Sequence, residues 1–507
     1  MKILELDGEH LTIENVAEIA ASQCIVTAAS LARSKVEKCR RFVEKAIDQG
    51  RVIYGVNTGF GKFSDVRIRD DLLERLQENL VMSHAAGVGS PLPADVVRAI
   101  LLLKANTLLR GYSGCRFEII ERLLALLNKN VLPIIPEKGS VGASGDLAPL
   151  AHLALVLIGK GEAICNGQKL NGADALKCAG LERIQLKAKE GLALLNGTQV
   201  STAMSALAIS ALESLLVHAD IIGALSTEAL KGTPSAFDQR IHAVRGLKGQ
   251  IESAQNLRNL LEGSENVASH KDCPKIQDAY SLRCMPQVHG SARDATAFCR
   301  SVISAELNSA TDNPLIFHDD EVVLSGGNFH AQPISTAADV LAIAAAQLAN
   351  ISERRIEYML DPATSEMAGF LTEDGGLNSG FMIAQVTAAS LVSENKVLCH
   401  PASVDSIPTS ANKEDFVSMA ALAARKALDV VQNAEYVLAI ELLCAVQGFD
   451  FKNQRSSNAL NAIIREIRAE IPHWDQDRIM YHDIETARNI IKSQKLIMIA
   501  RESLALA

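Results

Sequence analysis

"VSTAMSALAISALESLLVHADIIGAL", Val200–Leu225, sets the fold class. It holds no proline, its single glycine is Gly223, and apolar or small residues occupy nearly every helical face. It is far longer than an ordinary strand, and a helix apolar on most faces is buried inside a bundle. The same pattern recurs in "AADVLAIAAAQLANI" (337–351), "FMIAQVTAASLVSENKVL" (381–398) and "FVSMAALAARKALDVVQNAEYVLAIELLCAVQ" (416–447). Their many alanines and serines allow helices to pack closely. Strand signals are few. "EAICNGQKLNG" (162–172) centres on Asn166-Gly167, a hairpin turn pair, and "NPLIFHDDEVVLSGG" (313–327) reads as a second short hairpin. Neither βαβ alternation nor an internal repeat is present. The expected architecture is mainly α, with a mixed N-terminal part (1–200) followed by a long helical bundle (201–507) and no linker-like stretch between them.

Composition narrows the function. The 507 residues are 48% hydrophobic and 21% charged, and 50 Lys and Arg against 59 Asp and Glu leave a net charge of −9. Without a basic block, a nucleic-acid groove or a polybasic membrane face is not expected. The ten cysteines include no C-x-x-C pair and read as reduced core thiols of a cytoplasmic protein. The N-terminus has acids within its first ten residues and no long apolar run, unlike a secretory signal. The 337–351 stretch, interrupted by Asp339 and Gln347 and followed by "SERRIEYML", is too short to span a bilayer.

Common catalytic motifs fail. "GVNTGFGKF" (55–63) would need Gly at 56 and Ser or Thr at 63 to be a phosphate loop, but has Val56 and Phe63. The spacing around Ser144 is one residue short of a nucleophile elbow. No H-E-x-x-H and no His/Cys cluster with metal spacing occurs, so no metal is expected. His218 and His242 read as ordinary packed or surface residues.

What remains is a set of loops rich in glycine and polar residues: "YGVNTGFGKFSD" (54–65), "SHAAGVGSPL" (83–92), "LLNGTQVS" (194–201), "QDAYSLRCMPQVHGSARD" (277–294), "SATDNPLIF" (309–317), "SGGNFHAQP" (325–333) and "CHPASVDSIPTSANKEDFVSM" (399–419). Beside helices, Tyr54, Asn196, Tyr280, Arg283 and Glu414 suit either caps and buried structural bonds or a site. "GSVGASGDLAPLAH" (139–152) is the most unusual loop. Asp146 is placed to cap a helix starting at Leu147, Pro149 falls in its first turn and Gly159 ends it. Ser144 and Gly145 then lie at the positive end of a helix dipole. One reading is an anion site. The sharper one is backbone chemistry. The Gly145 nitrogen attacks the Ala143 carbonyl carbon in a compressed conformation that only small residues tolerate. Loss of two waters, one carrying the Ser144 oxygen, leaves an alkene conjugated to an imidazolone, an electrophile made without an external cofactor.

On these residues the chain resembles the aromatic amino acid ammonia-lyases. "GSVGASGDLAPLA" fits that family's signature, and "YGVNTGFG", "NGTQ", "QDAYSLRC.PQ", "TDNPL", "SGGNFH" and "HPASVDSIPTSAN.ED" stand in family order over nearly the full length. The resemblance implies a helical bundle of the fumarase and aspartase-like superfamily; a cofactor-free lyase of that superfamily is a non-MIO alternative, and the absence of its mobile G-S-S-x-M-P-x-K-x-N loop counts against it. The resemblance also implies that Ala143, Ser144 and Gly145 form 4-methylideneimidazol-5-one (MIO), which the substrate amine attacks or, in the family's alternative mechanism, which attacks the substrate's ring; the sequence does not choose between the two. The resemblance further implies Tyr54 as the base for the β-proton, Arg283 as partner of the substrate carboxylate, and Asn196 and Tyr280 close to the MIO and the amine. Gln277 and Phe329 would line the site. Family members are homotetramers whose sites draw loops from more than one subunit. The one departure noted is Gln332, where glutamate is common in the family's histidine branch.

Ser83-His84 occupies the place where tyrosine and phenylalanine lyases carry a ring-recognising pair. Glu414 falls where phenylalanine lyases carry glutamine. His84 and a carboxylate suit an imidazole and are costly beside a phenyl ring. The resemblance therefore implies L-histidine as substrate, with trans-urocanate and ammonia as products. An aminomutase or a tyrosine or phenylalanine lyase built on the same MIO is the alternative.

Overall fold

A computed structural model describes residues 2–21, 24–272 and 275–507. The chain divides into two units. The first comprises Met1–Ser210, Arg300–Asp339 and Pro401–Lys426, and the second Ala211–Cys299, Val340–His400 and Ala427–Ala507. The fold is mainly α. The four apolar stretches form helices Gln199–Ala229, Gln332–Leu360, Met382–Leu398 and Ala420–Asp450. The last starts later than its apolar run, because Met419 takes a left-handed φ of 56° that ends the preceding loop. Gln332–Leu360 is longer than residues 337–351 indicated. It and Gln199–Ala229 are long and apolar enough to cross a membrane by length and composition, but most of each apolar window is buried within the protein.

The mixed character of the first unit comes from short strands. Ile3–Leu6 pairs in parallel with Ile25–Ala28. Glu162–Cys165 and Gln168–Asn171 form the expected hairpin, with Asn166 and Gly167 at φ 52° and 75°. Both central residues at positive φ is the type I′ geometry that matches strand twist. Leu315–Phe317 and Val322–Leu324 form the second hairpin. Helix Ala94–Leu109 is buried from Val96 onwards, Arg98, Lys104 and Asn106 included.

In the second unit the helices bury charge in compensated groups. Arg355 Nη2 donates to Glu441 Oε2 at 2.8 Å with both side chains fully buried, and Ser226 Oγ donates to Glu441 Oε1 at 2.6 Å. Asp220 meets His289 Nδ1, Arg293 Nη2, Ser253 Oγ and Asn256 Nδ2 between 2.6 and 2.9 Å. Burial would raise this acid, but Arg293 and His289 hold it down to about 2. His218 and His242 are core residues, as a packed reading allows, and burial pushes His218 down to about 4. The described cysteines are free, but not all are core thiols: Cys178 is exposed, its Sγ 2.7 Å from that of buried Cys165. Cys273 lies outside the described residues.

Candidate active site

The small-residue loop 139–146 is held by neighbours on both sides. Met419 N–H donates to Val141 O at 2.8 Å and Ser418 Oγ to Gly142 O at 2.9 Å. Gly197 N–H donates to Ser144 O at 3.3 Å, Asp146 N–H donates to Gly197 O at 2.7 Å, and Ser140 Oγ donates to Gly145 O at 3.2 Å. Gly145 has φ 77°, and a Cβ there would stand 2.1 Å from Gly197 O. Only glycine satisfies both demands. Among the described residues, the Ala143 carbonyl and the Gly145 N–H enter no hydrogen bond while their neighbours are tied down. These are the two groups that cyclisation joins, so the loop fits an MIO precursor.

Asp146 precedes helix Leu147–Leu157, which Gly159 ends at φ 75°, but its side chain does not cap that helix. Its Oδ2 instead accepts from Val200 N–H (3.0 Å), Ser201 N–H (2.8 Å) and Ser201 Oγ (3.0 Å), in the first turn of Gln199–Ala229. This corrects the local reading. The longer helix presents its unpaired N–H groups to the same buried space, and the carboxylate satisfies them there. Complete burial pushes Asp146 up to about 6, against the pull of those three bonds.

A cavity of about 670 Å³ opens in the first unit, lined by Tyr54, Ser83, His84, Ser144, Asn196 and Glu414 with Phe60, Leu80, Leu147, Leu192 and Leu195 as apolar walls. Tyr54 sits on a turn that Asn57 closes, its Oδ1 accepting from Ile53 N–H and its Nδ2 donating to Arg51 O, both at 2.8 Å. His84 ends helix Leu73–His84 and places Nδ1 2.9 Å from Leu80 O. The neutral ring therefore carries its proton on Nδ1 and offers Nε2 as an acceptor. Burial lowers the His84 pKa, with the Leu80 carbonyl and Glu414 acting in the opposite sense. Glu414 Oε1 accepts from Ser144 Oγ at 3.1 Å, and its Oε2 accepts from Thr409 Oγ1 and Ser410 Oγ, both at 2.7 Å.

Asn196 is braced from behind. Its Nδ2 donates to Asp312 Oδ1 and to Asn313 O, each at 2.9 Å. Both partners are acceptors, so the amide orientation is dictated and Oδ1 remains available to the cavity. Asp312 is paired with Lys189 Nζ at 2.7 Å, both side chains at most 2% exposed. Lys104 Nζ donates to Asn196 O at 2.6 Å, and burial pushes this ammonium down to about 7. The "NGTQ" and "TDNPL" strings are thus two halves of one support.

The remaining expected site residues do not line this cavity. Gln277, Tyr280 and Arg283 belong to the second unit. Gln277 is exposed, Tyr280 is 69% exposed, and the Arg283 guanidinium lies 4.4 Å from the Tyr280 ring centroid. Phe329 is half-buried in the first unit but is not a wall of the cavity. Gln332 Nε2 donates to Ser403 O at 3.2 Å while its Oε1 is buried without a partner. Sequence reading missed Asp312, Lys189, Lys104, Thr409 and Ser410 as site supports. Their strings were visible, but nothing local separates a supporting hydroxyl or lysine from a surface one. Among the described residues, no group of three or more His, Cys, Asp or Glu could hold a metal ion.

Residues 11–469 match the aromatic amino acid lyase family. The chain belongs to that family and is a carbon–nitrogen lyase. It is 51% identical over 503 residues to the histidine ammonia-lyase of Caldanaerobacter subterraneus subsp. tengcongensis, covering 99% of both chains. It is 53% identical over 501 residues to that of Anaeromyxobacter dehalogenans, covering 97% of this chain and 99% of the relative. The crystal structure of histidine ammonia-lyase from Trypanosoma cruzi aligns with a TM-score of 0.93 at 41% identity, over 100% of this chain and 96% of that one. Tyrosine aminomutase from Streptomyces globisporus also aligns at 0.93, with 36% identity over 99% and 100% of the two chains.

Proposed function

We propose that this protein is a histidine ammonia-lyase, which eliminates ammonia from L-histidine without oxidation or hydrolysis to give trans-urocanate, the first step of histidine degradation. The observation that carries this reading is the pairing of His84 with Glu414 in one cavity beside Ser144. His84 Nε2 and a Glu414 oxygen are acceptors; a neutral imidazole ring supplies one N–H donor, and its protonated form supplies one for each. A phenyl ring leaves both unsatisfied, at about 1–3 kcal/mol each and more for the charged one.

MIO formed from Ala143, Ser144 and Gly145 supplies an electrophile that turns the substrate's amine into a better leaving group. The other residues bind and move protons. Asn196 Oδ1 accepts from the substrate amine, and the Asp312 and Lys189 pair holds it in that orientation. Tyr54 takes the β-proton. Phe60, Leu192 and Leu195 keep water away, which strengthens each polar contact. Arg283 pairs with the substrate carboxylate, and Gln277, Tyr280 and Phe329 complete the site from neighbouring subunits of a homotetramer. The enzyme is cytoplasmic, with no nucleic-acid or membrane partner.

The test offers L-histidine, L-tyrosine and L-phenylalanine separately and follows urocanate by its ultraviolet absorbance. Urocanate and equimolar ammonia from histidine alone support the reading. A β-amino acid product identifies an aminomutase, and comparable turnover of phenylalanine removes the role of His84 and Glu414. Sedimentation of an active monomer contradicts the shared site.

A further inference from the structure

Thr409 and Ser410 support Glu414 and have no part in the proposed reaction, and both hydroxyls converge on one oxygen of that carboxylate at 2.7 Å. The loop that makes this possible is unusual. Ser410, Ala411 and Asn412 have φ values of 51°, 53° and 63°, three successive non-glycine residues in the left-handed region. Such conformations persist only where surrounding bonds impose them. Here the imposing bonds are Thr409 N–H to Glu414 O at 2.9 Å and Glu414 N–H to Thr409 O at 3.3 Å, which close the loop on itself. The closure brings Thr409, Ser410 and the Glu414 carboxylate together.

A hydroxyl facing an ionised carboxylate donates its single proton, and such charge-assisted bonds are short and directional. Two of them on Oε2 leave Oε1 as the oxygen available to a ligand. Oε1 carries the Ser144 hydroxyl at 3.1 Å, and that oxygen is the one lost as water when residues 143–145 cyclise. We propose that Thr409 and Ser410 are the positioning residues of ring recognition: their hydroxyls lock the Glu414 carboxylate so that Oε1, freed by maturation, meets the N–H of the substrate's imidazole. The proposal rests on the reading of the cavity as a histidine site. It adds two hydroxyls to the site: Ser410 also lines the cavity, whereas Thr409 does not and acts only through Glu414, so Thr409→Val alone tests the lock without altering the cavity wall. An unlocked carboxylate rotates, shares its charge with solvent and must be ordered again each time a ring binds.

The test uses the full-length protein with Thr409→Val, Ser410→Ala and the double variant, and Thr409→Ser as the conservative control. Three quantities are read: kcat and KM for L-histidine, inhibition constants for urocanate and cinnamate, and MIO absorbance. The double variant is expected to lose about ten- to a hundredfold in kcat/KM, the range set by charge-assisted hydrogen bonds. Urocanate inhibition weakens by a similar factor, while cinnamate inhibition and MIO absorbance stay unchanged. Thr409→Ser behaves as wild type. Unaltered urocanate inhibition in the double variant overturns the proposal. So does equal weakening of urocanate and cinnamate, or loss of MIO absorbance, because either marks a general folding role. A wild-type protein inert on histidine refutes the functional reading itself, whereas an active wild type with an indifferent double variant refutes the lock alone.

Discussion

Replacing Asp146 by alanine removes the acceptor at the start of the 31-residue helix Gln199–Ala229. Val200 N–H and Ser201 N–H lose their partner, while the Ser201 hydroxyl keeps Thr198 O at 3.1 Å. Two buried orphan donors at about 1–3 kcal/mol each make a loss of about 2–6 kcal/mol. Asparagine keeps an acceptor at the same place and so should lie within about 1 kcal/mol of wild type at pH values where Asp146 is protonated. Charge is separated from capping by pH. The folded acid titrates at about 6 against an ordinary 3.8, so the native state holds its proton more tightly than the unfolded chain. Wild-type stability is therefore highest below pH 3.8 as far as this group is concerned, falls as pH rises towards 6 and then levels off, by about 3 kcal/mol in all. Asp146→Asn lacks that slope. The assay is urea denaturation at fixed protein concentration and several pH values, with MIO absorbance read on each variant before unfolding. Asp146→Ala should also lose the absorbance, because the same carboxylate anchors the helix start next to Gly197. An alanine variant as stable as wild type, or an asparagine variant as damaged as alanine, would refute the capping argument.

Ser144→Ala should fold with a near-native melting temperature, lack MIO absorbance and retain the mass of the two waters otherwise lost, with activity reduced by orders of magnitude; intact mass and urocanate formation check it. His84→Leu and Glu414→Gln should each lower kcat/KM for histidine about ten- to a hundredfold with MIO absorbance intact, since the first removes an acceptor for the ring and the second removes the charge of the other. Lys189→Met should destabilise the protein by about 3–5 kcal/mol, because it leaves Asp312 buried without its cation. Adding Asp312→Asn in that background should recover part of the loss in denaturation midpoint.

Helices and hairpins were legible from residue order because each is governed by neighbours within a few positions. A long proline-free run that is apolar or small on nearly every face marks Gln199–Ala229, and Asn166-Gly167 writes its own turn. Ala143-Ser144-Gly145 stands out in the sequence through the smallness of its side chains, which is what the proposed cyclisation needs. Partner choice is different. Asp146 looked like the cap of the helix that follows it, and in the folded protein it serves Ser201, 55 residues on. Ser144 meets Glu414 across 270 residues, and Asn196 takes its orientation from Asp312 across 116. Sequence order places a hydroxyl, an amide or a carboxylate in a loop, but many different buried donors or acceptors can satisfy it. Which one does depends on how the packed helices bring distant loops into the same dry space, where an unpaired polar group costs most.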